Sequence, residues 1–285
     1  MSDKIAVIGA GTMGSGIAQV AVEAGFIVNL VDTEQAFVDR GVGNIRKFVG
    51  KKVEKGKLTK AQFDDILSRL IGTTDMKKAV EGAVMVVEAV FEKFELKKDI
   101  FQKLDALCPP SVILASNTST LSIASLAAAT KNPARVIGTH YFSPVPAMRL
   151  VEVIRGKETS DATAKKTVEL CTKFGKTPIV VKDIPGFIVN RFLCLIYNEA
   201  ANMIYNGSAG AEEIDQAMKL GCNWPMGITE IMDLAGVDVC AFAIEAMYQM
   251  TGEERYKPSP LFDKMIAEKK LGRKTGEGFY KYDGK

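Results

Sequence analysis

Residues 5–19, IAVIGAGTMGSGIAQ, join a short apolar β-type run to a helical pattern through glycines at positions 9, 11 and 14. Few folds accept that spacing at a strand-to-helix corner. The first glycine permits a tight turn, the second lets a phosphate approach the backbone, and the third allows the helix to pack closely on the strand. The helix also turns its free N–H groups and positive dipole end toward whatever anion sits there. Glycines cluster in ordinary turns as well, so the motif needs its context. Here a second strand-like run, FIVNLVD, ends on Asp32, 18 residues past Gly14. An acid in that place suits the adenosine ribose hydroxyls of a dinucleotide. Its charge repels a 2′-phosphate, and no arginine follows at Thr33, Glu34 or Gln35, so NAD is expected over NADP. Gly9, Ala10, Gly11, Thr12, Met13, Gly14 and Asp32 are therefore the candidate cofactor residues of this turn.

The rest of the first two-thirds keeps the same alternation. KIAVIG, FIVNLVD, AVMVVEAV, SVILAS, RVIGTH, RLVEVI and TPIVV are short and rich in Val and Ile, as strands buried on both faces are. Helical patterns cover about 12–24, 34–54, 59–70 and 95–107, the third opened by a capping box of Thr59 and Gln62, the last stopped by Pro109-Pro110. The expected fold is α/β, a Rossmann-type doubly wound, mostly parallel sheet. After KDIPGF only helical patterns appear, closed by glycines or polar turns. The boundary near Asp183 to Gly186 gives a dinucleotide-binding domain over 1–184 and an all-α C-terminal domain over 185–285. Those last helices carry many Met, Ile and Phe side chains, and burial against a second copy, a homodimer, is the natural way to cover them.

Composition removes several other classes. A net charge of +3 over 285 residues is too mild to imply nucleic-acid binding. No stretch reaches the roughly 18 apolar residues that a bilayer span needs, so no membrane role is expected. The apolar N-terminal run is studded with glycines and leads straight into strand-like sequence, unlike a signal peptide. Five scattered cysteines without a CxxC pair read as reduced core thiols of a cytoplasmic protein, and with one histidine no metal site is expected.

That single histidine, His140, closes the run RVIGTH, at the edge of an open α/β sheet where ligands bind. Glu152 stands in the next run, inside the apolar stretch LVEVI, close enough in sequence for the two strands to pair. Hydride transfer from an alcohol needs a base for the hydroxyl proton, and imidazole titrates near working pH. A carboxylate on the other ring nitrogen would fix the tautomer and steady the imidazolium. A structural histidine and a sheet-edge glutamate remain the alternative reading of the same two residues.

The motifs VIGAGTMGSGIAQV, ASNTSTLSI, HYFSPVPAMRLVEVI, KDIPGFIVNR, AMKLGCNWPMG and GRKTGEGFYKY together resemble the L-3-hydroxyacyl-CoA dehydrogenase family from end to end, most of all its short bacterial 3-hydroxybutyryl-CoA members. The resemblance implies reversible NAD-dependent oxidation of (S)-3-hydroxybutyryl-CoA to acetoacetyl-CoA, a step of butanoate and fatty-acid metabolism. It makes His140 the general acid/base and Glu152 its partner, with Ser119 on the reacting oxygen and Asn190 orienting the substrate. It adds Glu92, Lys97, Ser119, Ser143 and Lys274 on the cofactor side. Ser143, in HYFSP, stands where the family commonly has asparagine, and a serine reaches less far. On the coenzyme A side, Lys47, Lys51 and Lys55 recur every four residues on one predicted helix, a basic stripe suited to phosphates. The family places coenzyme A contacts in that region, which makes Lys51 and Lys55, with Ser119 and Asn190, the candidate substrate contacts. Two other readings stay open: a dehydrogenase of a free hydroxy or sugar acid, and a crystallin-like nucleotide-binding scaffold without turnover.

Overall fold

In the computed structural model, which describes residues 3–282, alternating strands and helices build the first two-thirds of the chain. The outermost residues of the two expected domains, 1–2 and 283–285, lie outside the described residues. The order is β1 (Lys4–Ile8), α1 (Thr12–Glu23), β2 (Ile27–Val31), α2 (Gln35–Glu54), α3 (Lys60–Ser68), β3 (Leu70–Thr73), α4 (Met76–Val80) and β4 (Ala83–Glu88). It continues with α5 (Phe94–Leu107), β5 (Ile113–Ser116), α6 (Ile123–Ala127), β6 (Val136–Tyr141), β7 (Leu150–Arg155), α7 (Asp161–Lys173) and β8 (Thr177–Lys182). The eight strands form one sheet in the order β3-β2-β1-β4-β5-β6-β7-β8. The chain reverses direction across the sheet between β1 and β4, and the crevice outside the carboxyl ends of those strands is where such folds hold a dinucleotide. Every pairing is parallel except β6 with β7.

Burial explains the strand composition. Ile5, Val7, Leu30, Met85, Val87 and Ile137 are fully enclosed between helices on both faces. Each such side chain contributes about 1.5–3 kcal/mol relative to leaving it exposed. Where the sequence signal was weak, the structure differs. The helical pattern expected over 59–70 stops at Ser68, and Leu70–Thr73 forms β3 instead. That strand has four residues and sits at the sheet edge. Its Gly72 is required because an added Cβ would lie 2.6 Å from Val38 Cγ1 of α2. The capping box is present as expected, with Gln62 N donating to Thr59 Oγ1 and Thr59 N donating to Gln62 Oε1. Helices α4, α6 and α7 join those that the periodicity marked.

The chain divides into two compact units, Met1–Ile184 and Pro185–Lys285. The second is built on α8 (Val189–Tyr205), with α9 (Ala211–Gly221), α10 (Ile228–Ala235), α11 (Val237–Thr251) and α12 (Pro260–Ala267). Ala201, Met232, Ile244, Tyr256 and Phe262 form its core. Two buried carboxylates then close its C-terminal segment. Asp233 accepts from the backbone N–H of Phe279 and Tyr280 and from the Tyr282 hydroxyl, and Asp215 accepts from the hydroxyls of Thr229 and Tyr280. Glycine at 278 is dictated by this contact, since a Cβ would lie 2.0 Å from Asp233 Oδ1. Of the five thiols, four are buried, whereas Cys222 is exposed and so departs from the expected set of core thiols. Among the described residues no helix is long and apolar enough to cross a membrane.

Candidate active site

The glycine turn shows what each glycine does. Gly9 has φ +104°, a left-handed conformation that side chains resist, and its Cα faces the Ala89 carbonyl so closely that a Cβ would lie 2.6 Å from the oxygen. At Gly14 a Cβ would stand 1.8 Å from the Gly9 carbonyl oxygen, so this glycine seats α1 against the turn. Gly11 is different, with nothing within 4 Å of an added Cβ. The protein does not use the space that Gly11 keeps open, which fits a position reserved for a diphosphate. Helix α1 starts at Thr12 with no side-chain cap, leaving its first-turn N–H groups for an anion. Asp32 holds the turn from behind. Its Oδ2 accepts from Ala10 N at 2.7 Å, and Oδ1 accepts from Thr33 N at 2.7 Å. The Ala10 amide is thus tied to Asp32 within the turn. Asp32 stays partly exposed, with lone pairs left for ribose hydroxyls.

The contrast between two glycines gives a direct test. Gly11→Ala should leave unfolding free energy within about 0.5 kcal/mol of the parent, since no protein atom is crowded. Its dissociation constant for NADH should nevertheless rise at least about tenfold, read by fluorescence titration. Unchanged NADH affinity would remove the phosphate assignment.

Farther along the same sheet, strands β6 and β7 run antiparallel and place His140 directly opposite Glu152. His140 Nδ1 lies 2.7 Å from Glu152 Oε2, and His140 Nε2 lies 3.0 Å from Ser119 Oγ. A carboxylate only accepts, so Nδ1–H donates to Glu152 and Nε2 is the ring nitrogen that faces Ser119. Both residues are buried, His140 5% and Glu152 1% exposed. The Phe142 ring packs 4.5 Å from the imidazole, centre to centre. Asn117 fixes the Ser119 loop to the same strand by accepting from Tyr141 N at 3.0 Å.

The loop Thr118–Thr120 hangs on one carboxylate. Glu92 Oε1 accepts from Ser119 N at 2.8 Å, Thr120 N at 3.1 Å, and the hydroxyls of Thr118 and Thr120. Its Oε2 meets Lys97 Nζ at 3.2 Å. Lys97 Nζ also binds Glu88 Oε1 at 2.7 Å, and Ser116 Oγ donates to Glu88 Oε2 at 2.6 Å. Burial raises the Glu88 carboxyl above its ordinary value despite the nearby Lys97. At Glu92 burial also pushes upward, but Lys97 and the bonds from Thr118 and Ser119 outweigh it, and the carboxyl is lowered. Lys97 is 0% exposed, with its ammonium spent on Glu88 and Glu92. Lys97 thereby tethers Glu92 and, through it, the Ser119 loop. Glu88 escaped the sequence reading, although an acid inside VMVVEAV is the same signal as Glu152 inside LVEVI.

The other candidates are placed as follows. Ser143 is exposed just beyond β6. Lys51 is exposed on α2 and Lys55 is exposed at its C-cap, just past the helix end, and Lys51 Nζ sits 5.9 Å over the Phe48 ring. Lys52, in contrast, turns to Glu23 of α1 at 2.7 Å. In the second unit, Asn190 lies in the first turn of α8, and Lys274 Nζ pairs with Asp238 at the start of α11.

A Rossmann half whose second strand leads into an acid, in one sheet with a strand that presents an imidazole paired with a carboxylate, supplies what hydride exchange with a hydroxyl-bearing substrate requires. Fold and site together define an NAD-linked oxidoreductase. Comparison with known proteins carries this further. The family model for the 3-hydroxyacyl-CoA dehydrogenase NAD-binding domain matches residues 4–184, and that for the C-terminal domain of the same enzymes matches 186–282. The chain is 49% identical over 279 residues to a probable 3-hydroxybutyryl-CoA dehydrogenase of Deinococcus radiodurans, covering 98% of this chain and 100% of that one. It is 44% identical to the 3-hydroxybutyryl-CoA dehydrogenase of Clostridioides difficile, covering 98% and 99%. Its structure matches that of (S)-3-hydroxybutyryl-CoA dehydrogenase from Ralstonia eutropha with a TM-score of 0.96 and 42% identity over the full length of both. The chain belongs to the 3-hydroxyacyl-CoA dehydrogenase family.

Proposed function

We propose that the protein interconverts (S)-3-hydroxybutyryl-CoA and acetoacetyl-CoA, with NAD as the redox partner. The observation that carries this reading is the relay Ser119 Oγ–His140 Nε2 and His140 Nδ1–Glu152, at 3.0 and 2.7 Å. Bound NAD supplies the acceptor for the hydride from C3. In oxidation His140 Nε2 takes the C3 hydroxyl proton, and Glu152 stabilises the resulting imidazolium. In reduction the same Nε2–H returns the proton to the carbonyl oxygen. In this reading Ser119, with its Oγ 3.0 Å from Nε2, hydrogen-bonds that oxygen, and Asn190 is assigned to orienting the substrate. Gly9, Ala10, Gly11, Thr12, Met13, Gly14 and Asp32 hold the dinucleotide, Glu92, Lys97, Ser119, Ser143 and Lys274 act on the same side, and Lys51 and Lys55 contact coenzyme A phosphates.

Initial rates with purified protein test the reading. Acetoacetyl-CoA should be reduced at least about 10²-fold more efficiently than acetoacetate, because contacts to the nucleotide portion drive kcat/KM. NADH should be preferred over NADPH, since Asp32 repels the extra phosphate. Comparable rates with the free acid would favour the alternative of a hydroxy-acid dehydrogenase, and no turnover with either would favour a scaffold.

The reading includes a homodimer through the C-terminal helices. The second unit exposes Phe242 at 70%, Leu220 at 84% and Phe192 at 63%, large apolar side chains that a second copy would cover. Sedimentation equilibrium should give twice the chain mass of 30.9 kDa, and a monomer at micromolar concentration would remove the assignment. The unpaired cysteines suit a reducing compartment, the cytoplasm.

A further inference from the structure

The segment that bears Ser119 is held at both ends. Upstream, Glu92 binds Thr118 through Thr120, as described above. Downstream, Asp183 Oδ2 accepts from Ser122 Oγ at 2.9 Å and from Ala124 N at 2.8 Å. Ser122 is itself the N-cap of α6 and accepts from Ser125 N at 3.3 Å. Asp183 therefore serves as a second cap on a helix of only five residues, too short to be stable by itself. Sequence separation makes the contact more telling, since Asp183 comes 61 positions after Ser122.

Asp183 follows β8 and stands one residue before the end of the first unit. Its backbone N–H continues the sheet by donating to Arg155 O at 3.1 Å, so the residue is anchored on the β7 side. The connection to the second unit leaves from this point. The side chain thus joins the linker to the loop whose serine touches the imidazole, three residues upstream of Ser122. Nothing in a mere connector requires a carboxylate with both of these bonds on one oxygen.

We propose that Asp183 is a positioning residue for Ser119, fixing the catalytic loop to the start of the interdomain linker. The proposal rests on the functional reading above, in which Ser119 contacts the reacting oxygen. Loss of the two bonds frees α6 and the loop in front of it, and small misplacements of a catalytic group are costly.

The experiment is a double-mutant cycle with the full chain, acetoacetyl-CoA and NADH. Asp183→Ala should lower kcat at least about tenfold while the KM for NADH stays within about twofold. Asp183→Asn should recover most of the rate, because one amide oxygen accepts both bonds. In a Ser119→Ala background the Asp183→Ala change should cost less than about twofold, since a residue that acts only through Ser119 has nothing left to position. Ser122→Ala, which removes one of the two bonds, carries the same cycle should Asp183→Ala fail to fold. An equal cost in both backgrounds, or an Asn variant as slow as the Ala variant, overturns the coupling alone. A Ser119→Ala variant as fast as the parent would instead remove the functional reading and the proposal with it.

Discussion

His140→Gln lowers kcat for reduction of acetoacetyl-CoA by about 10²–10⁴-fold, the range that a positioned general acid/base contributes. Glutamine is the informative replacement because it is close in length, polar, and able to hydrogen-bond within the pocket between Glu152 and Ser119. It cannot gain and lose a proton near neutral pH, so the chemical role goes while the packing is largely kept. The neighbours predict where the effect falls. Glu152 at 2.7 Å and Ser119 at 3.0 Å act on the ring, whereas the glycine turn and Asp32 belong to other elements. NADH affinity should therefore stay within about threefold of the parent. A kcat reduced by less than tenfold, measured by the decline in NADH absorbance, would exclude His140 as the proton-transfer group. A large rise in the NADH dissociation constant would instead make it a binding residue.

How much of this could be read from the sequence depended on whether the signal was local. The glycine turn and Asp32 were legible because their requirements are set within one βαβ unit. Gly9 with φ +104° and Gly14 beneath the Gly9 carbonyl answer to steric rules that spacing already expresses. His140 and Glu152 stood out as polar residues at the end of, or within, apolar runs, and their pairing needed only that neighbouring runs form neighbouring strands. The short β3 was hidden because four residues with a central glycine carry no usable periodicity. Glu88 and Asp183 were missed for another reason. Glu88 carried a local signal, an acid inside an apolar run, but its link to Ser116, 28 positions away, and that of Asp183 to Ser122, 61 positions away, exist only in the closed sheet. Lys97 entered only through the resemblance, as a residue of the cofactor side. Its burial follows from two carboxylates arriving from the end of β4 and the loop beyond it, which no pattern within α5 announces.

That burial makes Lys97 the residue whose loss should cost the most stability. Lys97→Met keeps an unbranched chain of similar volume and removes the cation bound to both Glu88 and Glu92. Removing one partner of a buried ion pair leaves a charge in low dielectric and costs about 3–5 kcal/mol. Denaturant unfolding near neutral pH should show a loss of that size. The dependence on pH has a definite sign. In the parent, Glu92 is lowered, so its contribution is fully present above the ordinary carboxylate value of 4.5 and fades as pH falls through the lowered one. Glu88 is raised, so ionising it opposes folding, and stability is regained as pH falls through its raised value toward 4.5. Without the lysine both carboxyls rise, and protonation relieves both. The deficit of Lys97→Met should thus be greatest near neutrality and narrow toward about pH 5. A constant deficit across that range, or one below about 1 kcal/mol, would show that the cluster is not the electrostatic unit described. The variant also separates a tether from a ligand contact. A lysine that touched only the cofactor would, when replaced, weaken NADH binding and leave the free protein as stable as before. A lysine that fixes Glu92 beneath Ser119 should instead lower stability and kcat together.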